Sequence, residues 1–262
     1  MTNHFSAILT ACAGPVAIFT DFDGTLVEIA PRPDAIEVPD FLAGRLEALE
    51  TALGGAFAIV TGRTIDNIDG FLSSHPFSVS GSHGAEQRHQ GETRPASSGH
   101  ATAAAKLSRI LSDHFDGDER ILVEPKPAGV AVHYRAAPER GGDVQAAMDH
   151  ALKSATDFHA IGGKKVIEAR PRGTDKGAAI ATLMQNPPFR GRTPVFIGDD
   201  VTDEDGFRTV NAMDGVTVKV GPGPSAAKFR LPDIAAVYDL LETLAERTPE
   251  HGEDTRLKEA RQ

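Results

Sequence analysis

Four short apolar runs, each followed by polar or glycine-rich residues, dominate the hydrophobic pattern of this chain. The runs are Val16 to Phe19, Phe57 to Val60, Phe77 to Ser80 and Val195 to Ile197. Short apolar runs bounded by turn residues are typical of buried parallel strands. Helical patterns follow the second and the fourth run. We therefore predict a doubly wound, mostly parallel α/β core, whose ligand site lies beyond the carboxyl ends of its strands.

The middle of the chain has a different pattern, in which adjacent strands alternate with two helices. This pattern predicts a small inserted α+β domain at residues 98–171, with an antiparallel sheet and both helices on one face. The core then comprises residues 1–97 and 172–262. Turn residues on either side of the insertion mark hinges, and the charged tail at 247–262 is expected to fray. The helices are predicted at Ala101 to Phe115 and Asp143 to Thr156, and the strands at Ile121 to Glu124, Val130 to Tyr134, Phe158 to Ile161 and Lys165 to Ala169.

Composition limits the classes of partner. The 262 residues are 40% hydrophobic and carry a formal net charge of -10, which argues against nucleic acid or an anionic membrane as the main partner. A phosphorylated ligand would therefore need local cations, such as lysine, a metal or helix N-termini. The single cysteine, Cys12, suits a reducing compartment. We expect no signal peptide and no membrane span, and hence a cytoplasmic protein.

The string Asp21-Phe22-Asp23-Gly24-Thr25 directly follows the first apolar run. Residues two apart on a strand face the same side, so Asp21 and Asp23 face one site while Phe22 points into the core. One carboxylate can attack phosphorus, and the other can carry the leaving group's proton. Taken alone, the string is also compatible with a solvated turn similar to a calcium loop.

Further candidates follow the other strands. Thr61 can donate its hydroxyl to a phosphate oxygen, although a threonine there is also an ordinary strand end or helix cap. Lys176 follows Thr174, which we predict to cap a helix from Asp175 to Met184, so its ammonium group would lie near the strand ends. Without this context, a lysine in a first helical turn is usually solvated surface.

Together these motifs, in their order along the chain, resemble the haloacid-dehalogenase-like phosphatases, and in detail their trehalose-6-phosphate phosphatase family. The resemblance covers roughly residues 16 to 244. The segments that carry the resemblance are Asp21 to Leu26, Glu28 to Asp34, Ser82 to Glu86, His133 to Arg135, Pro171 to Thr174 and Gly198 to Glu204.

The resemblance implies a phosphatase with Mg²⁺ as its metal. It names Asp21 as the nucleophile, Asp23 as the general acid and base, and Thr61 and Lys176 as further catalytic residues. Metal ligands would come from Asp21, from the backbone carbonyl of Asp23 and from Asp199. Asp203 would hold a metal-bound water or orient Lys176.

Sugar recognition is expected in the inserted domain, because the catalytic groups recognise only a phosphate and a metal. By resemblance, Glu124, Lys126, His133, Arg135 and Glu168 contact the two glucose units. An ordinary polar sheet face is the alternative, especially for His133 and Arg135. The substrate-binding candidates on the core side are Gly62, Arg63, His83 and Gly84.

The predicted activity is hydrolysis of trehalose 6-phosphate through an aspartyl-phosphate. Rival activities are hydrolysis of sucrose 6-phosphate, hydrolysis of a mannosyl phosphoglycerate, and the reaction of a phosphosugar mutase. A rival from another class is a catalytically silent sugar-phosphate sensor or a partner subunit of the synthase. The expected ligand is a phosphorylated disaccharide. We further predict a monomer or weak homodimer, with functional coupling to trehalose-6-phosphate synthase.

Overall fold

The computed structural model describes residues 4–30, 35–72 and 75–247. The predicted fraying tail beyond Arg247 and residues 31–34 of the second matched string lie outside these ranges. The strands in the described part are β1 (Val16–Thr20), β2 (Phe57–Val60), β3 (Ser78–Gly81), β4 (Glu86–His89), β5 (Glu92–Arg94), β6 (Leu122–Lys126), β7 (Gly129–His133), β8 (Phe158–Gly163), β9 (Val166–Pro171), β10 (Thr193–Gly198), β11 (Val216–Val220) and β12 (Phe229–Leu231).

Eight α-helices lie within the same ranges, along with three short 3-10 turns. None of these helices has both the length and the apolar character that a membrane crossing would need. The helices are α1 (His4–Ala11), α2 (Leu42–Ala52), α3 (Ile65–Phe71), α4 (Ser98–His114), α5 (Gly141–Leu152), α6 (Lys176–Leu183), α7 (Glu204–Ala212) and α8 (Ile234–Arg247).

The larger sheet has eight strands in the order β12-β11-β10-β1-β2-β3-β4-β5. The pairs from β12 to β3 are parallel, and only β4 and β5 run antiparallel to their neighbours. β1 lies between β10 and β2, and all five of its residues are buried, as its unbroken apolar run predicts. The predicted doubly wound, mostly parallel core is therefore confirmed.

The smaller sheet is antiparallel, in the order β6-β7-β9-β8. Its buried residues form an apolar cluster of their own with α4 and α5, so this sheet does not share the core of the larger one. Alternation explains the packing: Val130 and Val132 of β7 and Ile167 and Ala169 of β9 pack in that cluster, while the residues between them face the other way. The predicted antiparallel sheet with two helices is confirmed.

The predicted cap of α6 is wrong by one residue. The side chain of Asp175, not of Thr174, accepts a hydrogen bond from the backbone N–H of Ala178 at 2.8 Å. The hydroxyl of Thr174 donates instead to the carbonyl of Pro171 at 2.7 Å. Both residue types cap helices well, and here the extended backbone of Asp175 fits the cap position. As a result, Lys176 is the first residue of the helix.

Candidate active site

A cleft lies between the carboxyl ends of β1, β2 and β10 and the face of the smaller sheet that its helices leave uncovered. Ligands of open α/β sheets bind at this edge, where the loops after neighbouring strands meet. The alternating polar residues of β6, β7 and β9 complete the opposite wall. The sequence-predicted residues that line the cleft are Asp21, Asp23, Thr61, Gly62, Arg63, His83, Glu124, Lys126, His133, Arg135, Glu168, Lys176 and Asp199.

The aspartate motif turns directly after the central strand. The backbone N–H of Asp21 still donates to a carbonyl of β10 at 2.9 Å, so this residue continues the strand. Phe22 is fully buried, while Asp21 and Asp23 both line the cleft. At Gly24 the φ angle is +76°, and a Cβ atom would collide with the carboxylate of Asp199. Glycine is thus required for the first loop to approach the loop after β10.

Lys176 is the central cation of the site. Its side chain is 1% exposed, and Nζ lies 2.9 Å from Oδ1 of Asp21 and 2.6 Å from Oδ1 of Asp203. The other oxygen of Asp203 accepts hydrogen bonds from the backbone N–H groups of Asp199 and Asp200, each at 2.9 Å. Protein donors therefore occupy both oxygens of Asp203, which does not line the cleft. This arrangement fixes Lys176 beside Asp21.

The buried charges shift one another's pKa values. Burial raises the pKa of Asp21 well above its usual range, and the nearby carboxylates of Asp203 and Asp199 raise it further, against the opposing effect of Lys176. Burial also raises the pKa of Asp199, to about 7, and the carboxylates of Asp203 and Asp200 contribute to this increase. For Lys176, burial opposes the charge, but Asp203 and Asp21 outweigh it and raise the pKa.

The same carboxylates are suited to hold a metal ion. Asp21, Asp199 and Asp203 each offer an oxygen atom, and these atoms all lie within 4.8 Å of one another. Oδ1 of Asp199 is buried and has no hydrogen-bond partner among the described residues. An unpaired buried carboxylate oxygen is costly, and a hard divalent cation would satisfy it. The donor set therefore fits such an ion.

The turn after β2 forms another part of the wall. Oγ1 of Thr61 accepts a hydrogen bond from the backbone N–H of Arg63 at 3.1 Å, and its own proton remains available for a ligand oxygen. Gly62 leaves room for the ring of His83, with which a Cβ atom would collide. His83 has a left-handed backbone with φ of +55°, a strained conformation that clusters at functional sites.

Two side chains of the smaller sheet reach the core across the cleft. Nζ of Lys126 donates to the carbonyl of Gly62 at 3.2 Å and to Oε2 of Glu168 at 3.0 Å. Nε2 of His83 lies 3.4 Å from the same oxygen of Glu168. Burial opposes the charge on Glu168, but Lys126 and His83 outweigh it and hold the pKa of Glu168 below its usual range. Burial lowers the pKa of His83, against the opposing effect of Glu168.

Other predicted sugar-binding residues are paired within or across the cleft. Nε2 of His133 lies 2.7 Å from Oε2 of Glu124. Burial opposes the charge on Glu124, but this hydrogen bond and the charge of Lys126 lower its pKa. Nη1 of Arg135 donates to the carbonyl of Ala30, on the core side, at 2.6 Å. The polar face is thus organised before a ligand enters.

One predicted substrate-binding residue lies apart from the others. Gly84 does not line the cleft; it packs against the start of α6, where a Cβ atom would approach the carbonyl of Asp175 to 3.1 Å. Sequence reasoning also missed Arg170, a buried cleft residue of β9 whose Nη2 lies 3.6 Å from Asp205 of the core. The period-2 pattern of β9, which places Arg170 on the face of Glu168, was the signal that could have found it.

Comparison with known proteins identifies the family. The trehalose-phosphatase family model matches residues 19–235. The chain belongs to this family. Over 244 residues it is 38% identical to the trehalose-6-phosphate phosphatase of Escherichia coli (strain K12), a match that covers 92% of this chain and 90% of the relative. It is 39% identical over 232 residues to a probable trehalose-phosphate phosphatase of Sinorhizobium fredii, with 87% of each chain covered.

Solved structures agree with this family. The crystal structure of a trehalose-6-phosphate phosphatase related protein superimposes with a TM-score of 0.75 at 26% identity, over 88% of this chain and 97% of that one. Family membership implies a sugar-phosphate substrate, and the carboxylate cluster is consistent with the metal site of haloacid-dehalogenase-like phosphatases.

Proposed function

We propose that this protein hydrolyses trehalose 6-phosphate to trehalose and inorganic phosphate through an aspartyl-phosphate on Asp21. One observation carries the proposal. In a member of the trehalose-phosphatase family, the predicted nucleophile Asp21 lies 2.9 Å from the buried Lys176 and shares one cleft with Asp23, Thr61 and the polar face of the smaller sheet.

In the first half of the reaction, a carboxylate oxygen of Asp21 attacks the phosphorus in line, and the bond between phosphorus and the sugar oxygen breaks. Asp23 gives its proton to the departing oxygen, so trehalose leaves as a neutral alcohol. Lys176 favours the ionised form of Asp21, against the burial that raises its pKa, and compensates charge on the phosphoryl oxygens. The hydroxyl of Thr61 donates to one of these oxygens.

In the second half, a water molecule attacks the phosphorus of the aspartyl-phosphate. Asp23, now ionised, takes a proton from this water, and the bond between phosphorus and Asp21 breaks. Inorganic phosphate leaves, Asp21 is again a carboxylate, and Asp23 is again protonated. One residue therefore serves as acid and then as base.

We propose Mg²⁺ as the metal, which when bound neutralises charge on the phosphoryl oxygens. The carboxylates of Asp21 and Asp199 and the backbone carbonyl of Asp23 would hold it. Asp203 would act by fixing Lys176, because both of its oxygens already have protein donors. Asp199 offers the clearest ligand atom, the buried oxygen that has no hydrogen-bond partner in the described ranges.

Residues 98–171 would act as a cap that recognises the sugar, while residues 1–97 and 172–262 carry the chemistry. Lys126, Glu168, Glu124, His133 and Arg135 supply donors and acceptors of the kind that a disaccharide's hydroxyl groups require. On the core side, Gly62 and His83 would contact the phosphorylated end, whereas Arg63, predicted as a further contact, pairs with Asp23. Cap closure over the substrate would exclude bulk water and strengthen the electrostatic interactions.

A panel of phosphate esters tests the proposal by release of phosphate, with Mg²⁺ and with a chelator. We expect trehalose 6-phosphate to give the highest kcat/KM, no activity with chelator, and loss of activity in Asp21→Asn. Preference for sucrose 6-phosphate or mannosyl-3-phosphoglycerate would favour the related phosphatases. Binding of trehalose 6-phosphate without turnover would favour the silent sensor.

Several broader assignments belong to the same proposal. We propose a cytoplasmic enzyme, monomeric or weakly dimeric, that completes trehalose synthesis after the synthase. The net charge of -10 and the single cysteine support this setting. Size-exclusion chromatography at several protein concentrations, and a binding assay with the synthase, test these assignments.

A further inference from the structure

Arg63 and Asp23 form a two-pronged ion pair inside the cleft. Nε of Arg63 donates to Oδ2 of Asp23, and Nη2 donates to Oδ1, each at 2.6 Å. Two parallel hydrogen bonds between a guanidinium group and a carboxylate are the strongest and most orienting form of this interaction. They occupy both oxygens of the carboxylate that transfers the proton in the proposed reaction.

The arginine is the fixed member of this pair. Its backbone N–H donates to Oγ1 of Thr61 at 3.1 Å, and its carbonyl accepts from the backbone N–H of Ser82 at 2.8 Å. Its guanidinium carbon lies 5.1 Å from the centre of the Phe71 ring, and its side chain is only 10% exposed. The side chain of Asp23 is 33% exposed at the edge of the cleft. If the ion pair opens, Asp23 is therefore the residue that moves.

The position of this pair in the cleft sets it apart from a structural ion pair. Exposed ion pairs usually contribute little to folding stability, but bidentate pairs are the exception, so strength alone does not distinguish the two roles. A second bidentate pair, Arg88 with Asp69, has similar side-chain exposure, 9% and 43%, and links β4 to α3 outside the cleft. Arg88 also donates to the carbonyl of Phe77, whereas the side chain of Arg63 lies against the residue that must act in catalysis. The two pairs match in geometry and differ in location.

We infer that Arg63 is a positioning residue, which holds Asp23 through both oxygens at rest and releases one of them when substrate binds. The released oxygen takes a proton from solvent and gives it to the leaving sugar oxygen. Asp23 cannot keep both hydrogen bonds and also share a proton with that oxygen. The retained hydrogen bond then fixes the direction of the carboxylate. This inference rests on the proposed function, because it assigns the proton transfer to Asp23.

The quality of the leaving group separates this role from phosphate binding. A sugar alkoxide is a poor leaving group and needs the proton, whereas the nitrophenolate of p-nitrophenyl phosphate leaves without one. Loss of a general acid typically costs about 10²- to 10⁴-fold where the proton is needed. A residue that orients the acid should therefore lower kcat/KM, which reports the first half of the reaction, for the sugar ester and hardly for the aryl ester. Loss of the base role of Asp23 in the second half would lower kcat for both esters alike.

The test measures kcat and KM of the whole protein with trehalose 6-phosphate and with p-nitrophenyl phosphate. We expect Arg63→Gln to lower kcat/KM for the sugar ester by about tenfold or more and for the aryl ester by less than about threefold. Arg63→Lys keeps the positive charge but cannot make the two parallel hydrogen bonds, so its loss of activity should be intermediate. Arg88→Gln is the matched control and should change both values by less than about twofold.

The double variant decides whether Arg63 acts through Asp23. In an Asp23→Asn background, Arg63→Gln should cause no further loss with the sugar ester, because the group that it orients has been removed. Additive losses would overturn the inference, as would equal losses with both esters expressed mainly in KM, which is the signature of a phosphate ligand.

Failure of the proposed function gives a different result from failure of this inference. If the unmodified protein prefers another sugar phosphate, the proposed substrate is wrong, and the same variants are compared on the preferred ester. Lack of turnover of every ester overturns both. Normal turnover of trehalose 6-phosphate with an unaffected Arg63→Gln variant overturns the inference alone.

Discussion

Replacing Lys176 by methionine should destabilise the protein, because it leaves two buried carboxylates without their counter-charge. Lys176 is 1% exposed and lies 2.9 Å from Asp21 and 2.6 Å from Asp203. Methionine fills similar volume but carries no charge. Removing one partner of a buried ion pair costs about 3 to 5 kcal/mol. We expect about 3 kcal/mol, because two backbone N–H groups still bind Asp203.

The loss of stability in Lys176→Met should depend on pH, and the pKa of Asp21 determines the direction of this dependence. Burial and neighbouring carboxylates already raise its pKa in the folded protein, and removal of Lys176 raises it further. A carboxyl group whose folded pKa exceeds the unfolded value of about 3.9 binds protons more tightly when folded. Its contribution to stability is present at low pH and is lost as the pH rises through the folded pKa. The variant should therefore recover part of its stability at acidic pH.

Urea unfolding in the presence of a chelator measures the effect at about pH 5 and about pH 8. The control is Lys106→Met, which removes an exposed lysine of α4 and should change the free energy of unfolding by less than about 0.5 kcal/mol. If Lys176→Met and Lys106→Met unfold with equal free energies at the higher pH, the buried-charge reasoning is refuted. Addition of Mg²⁺ should restabilise Lys176→Met, because the cation supplies the missing counter-charge.

Two further predictions concern the metal and the sugar. Because the pKa of Asp199 is about 7 without a cation, protons compete with the metal, and Mg²⁺ affinity measured by calorimetry should fall about tenfold between about pH 8 and about pH 6. A constant affinity, or one that Asp199→Ala leaves unchanged, would remove Asp199 from the ligand set. Glu168→Ala should lower kcat/KM for trehalose 6-phosphate more than for p-nitrophenyl phosphate, with the exposed Glu139→Ala as control. Equal losses for both esters would argue against a role of Glu168 in sugar recognition.

The parts of the fold that the sequence predicts are those with strong apolar periodicity. β1, β2 and β10 read as uninterrupted apolar runs because they are buried on both faces. The last two strands at one end of the larger sheet, β4 (Glu86–His89) and the edge strand β5 (Glu92–Arg94), are almost entirely polar. An edge strand such as β5 is held by backbone hydrogen bonds to one neighbour, and charged residues there protect it from further pairing. Such a strand leaves no hydrophobic pattern, so its formation depends on the neighbouring hairpin.

The candidate site likewise contains residues that the sequence could place and contacts that it could not. Residues that follow strands, such as Asp21, Thr61 and Asp199, could be placed together from topology alone. The partners of these residues could not, because they depend on side-chain directions across the cleft. Asp203 illustrates the limit: the sequence analysis left it either to hold a metal-bound water or to orient Lys176, and the structure gives Lys176 and two backbone N–H groups as its donors.

The pairing of charges in the cleft indicates what a bound metal ion would add to the chemistry of this acidic chain. The cleft contains several cations, yet Lys176 already neutralises Asp21 and Asp203, Arg63 holds Asp23, and Lys126 holds Glu168. These side chains are ordered and held in place, but a phosphate dianion that enters gains little attraction from charges that carboxylates already balance. A divalent cation at Asp199 changes this balance, because it adds two positive charges beside a carboxylate oxygen without a hydrogen-bond partner in the described chain. On this reasoning the paired side chains position the reacting groups, and the cation adds attraction for phosphate to that of the chain's own charges.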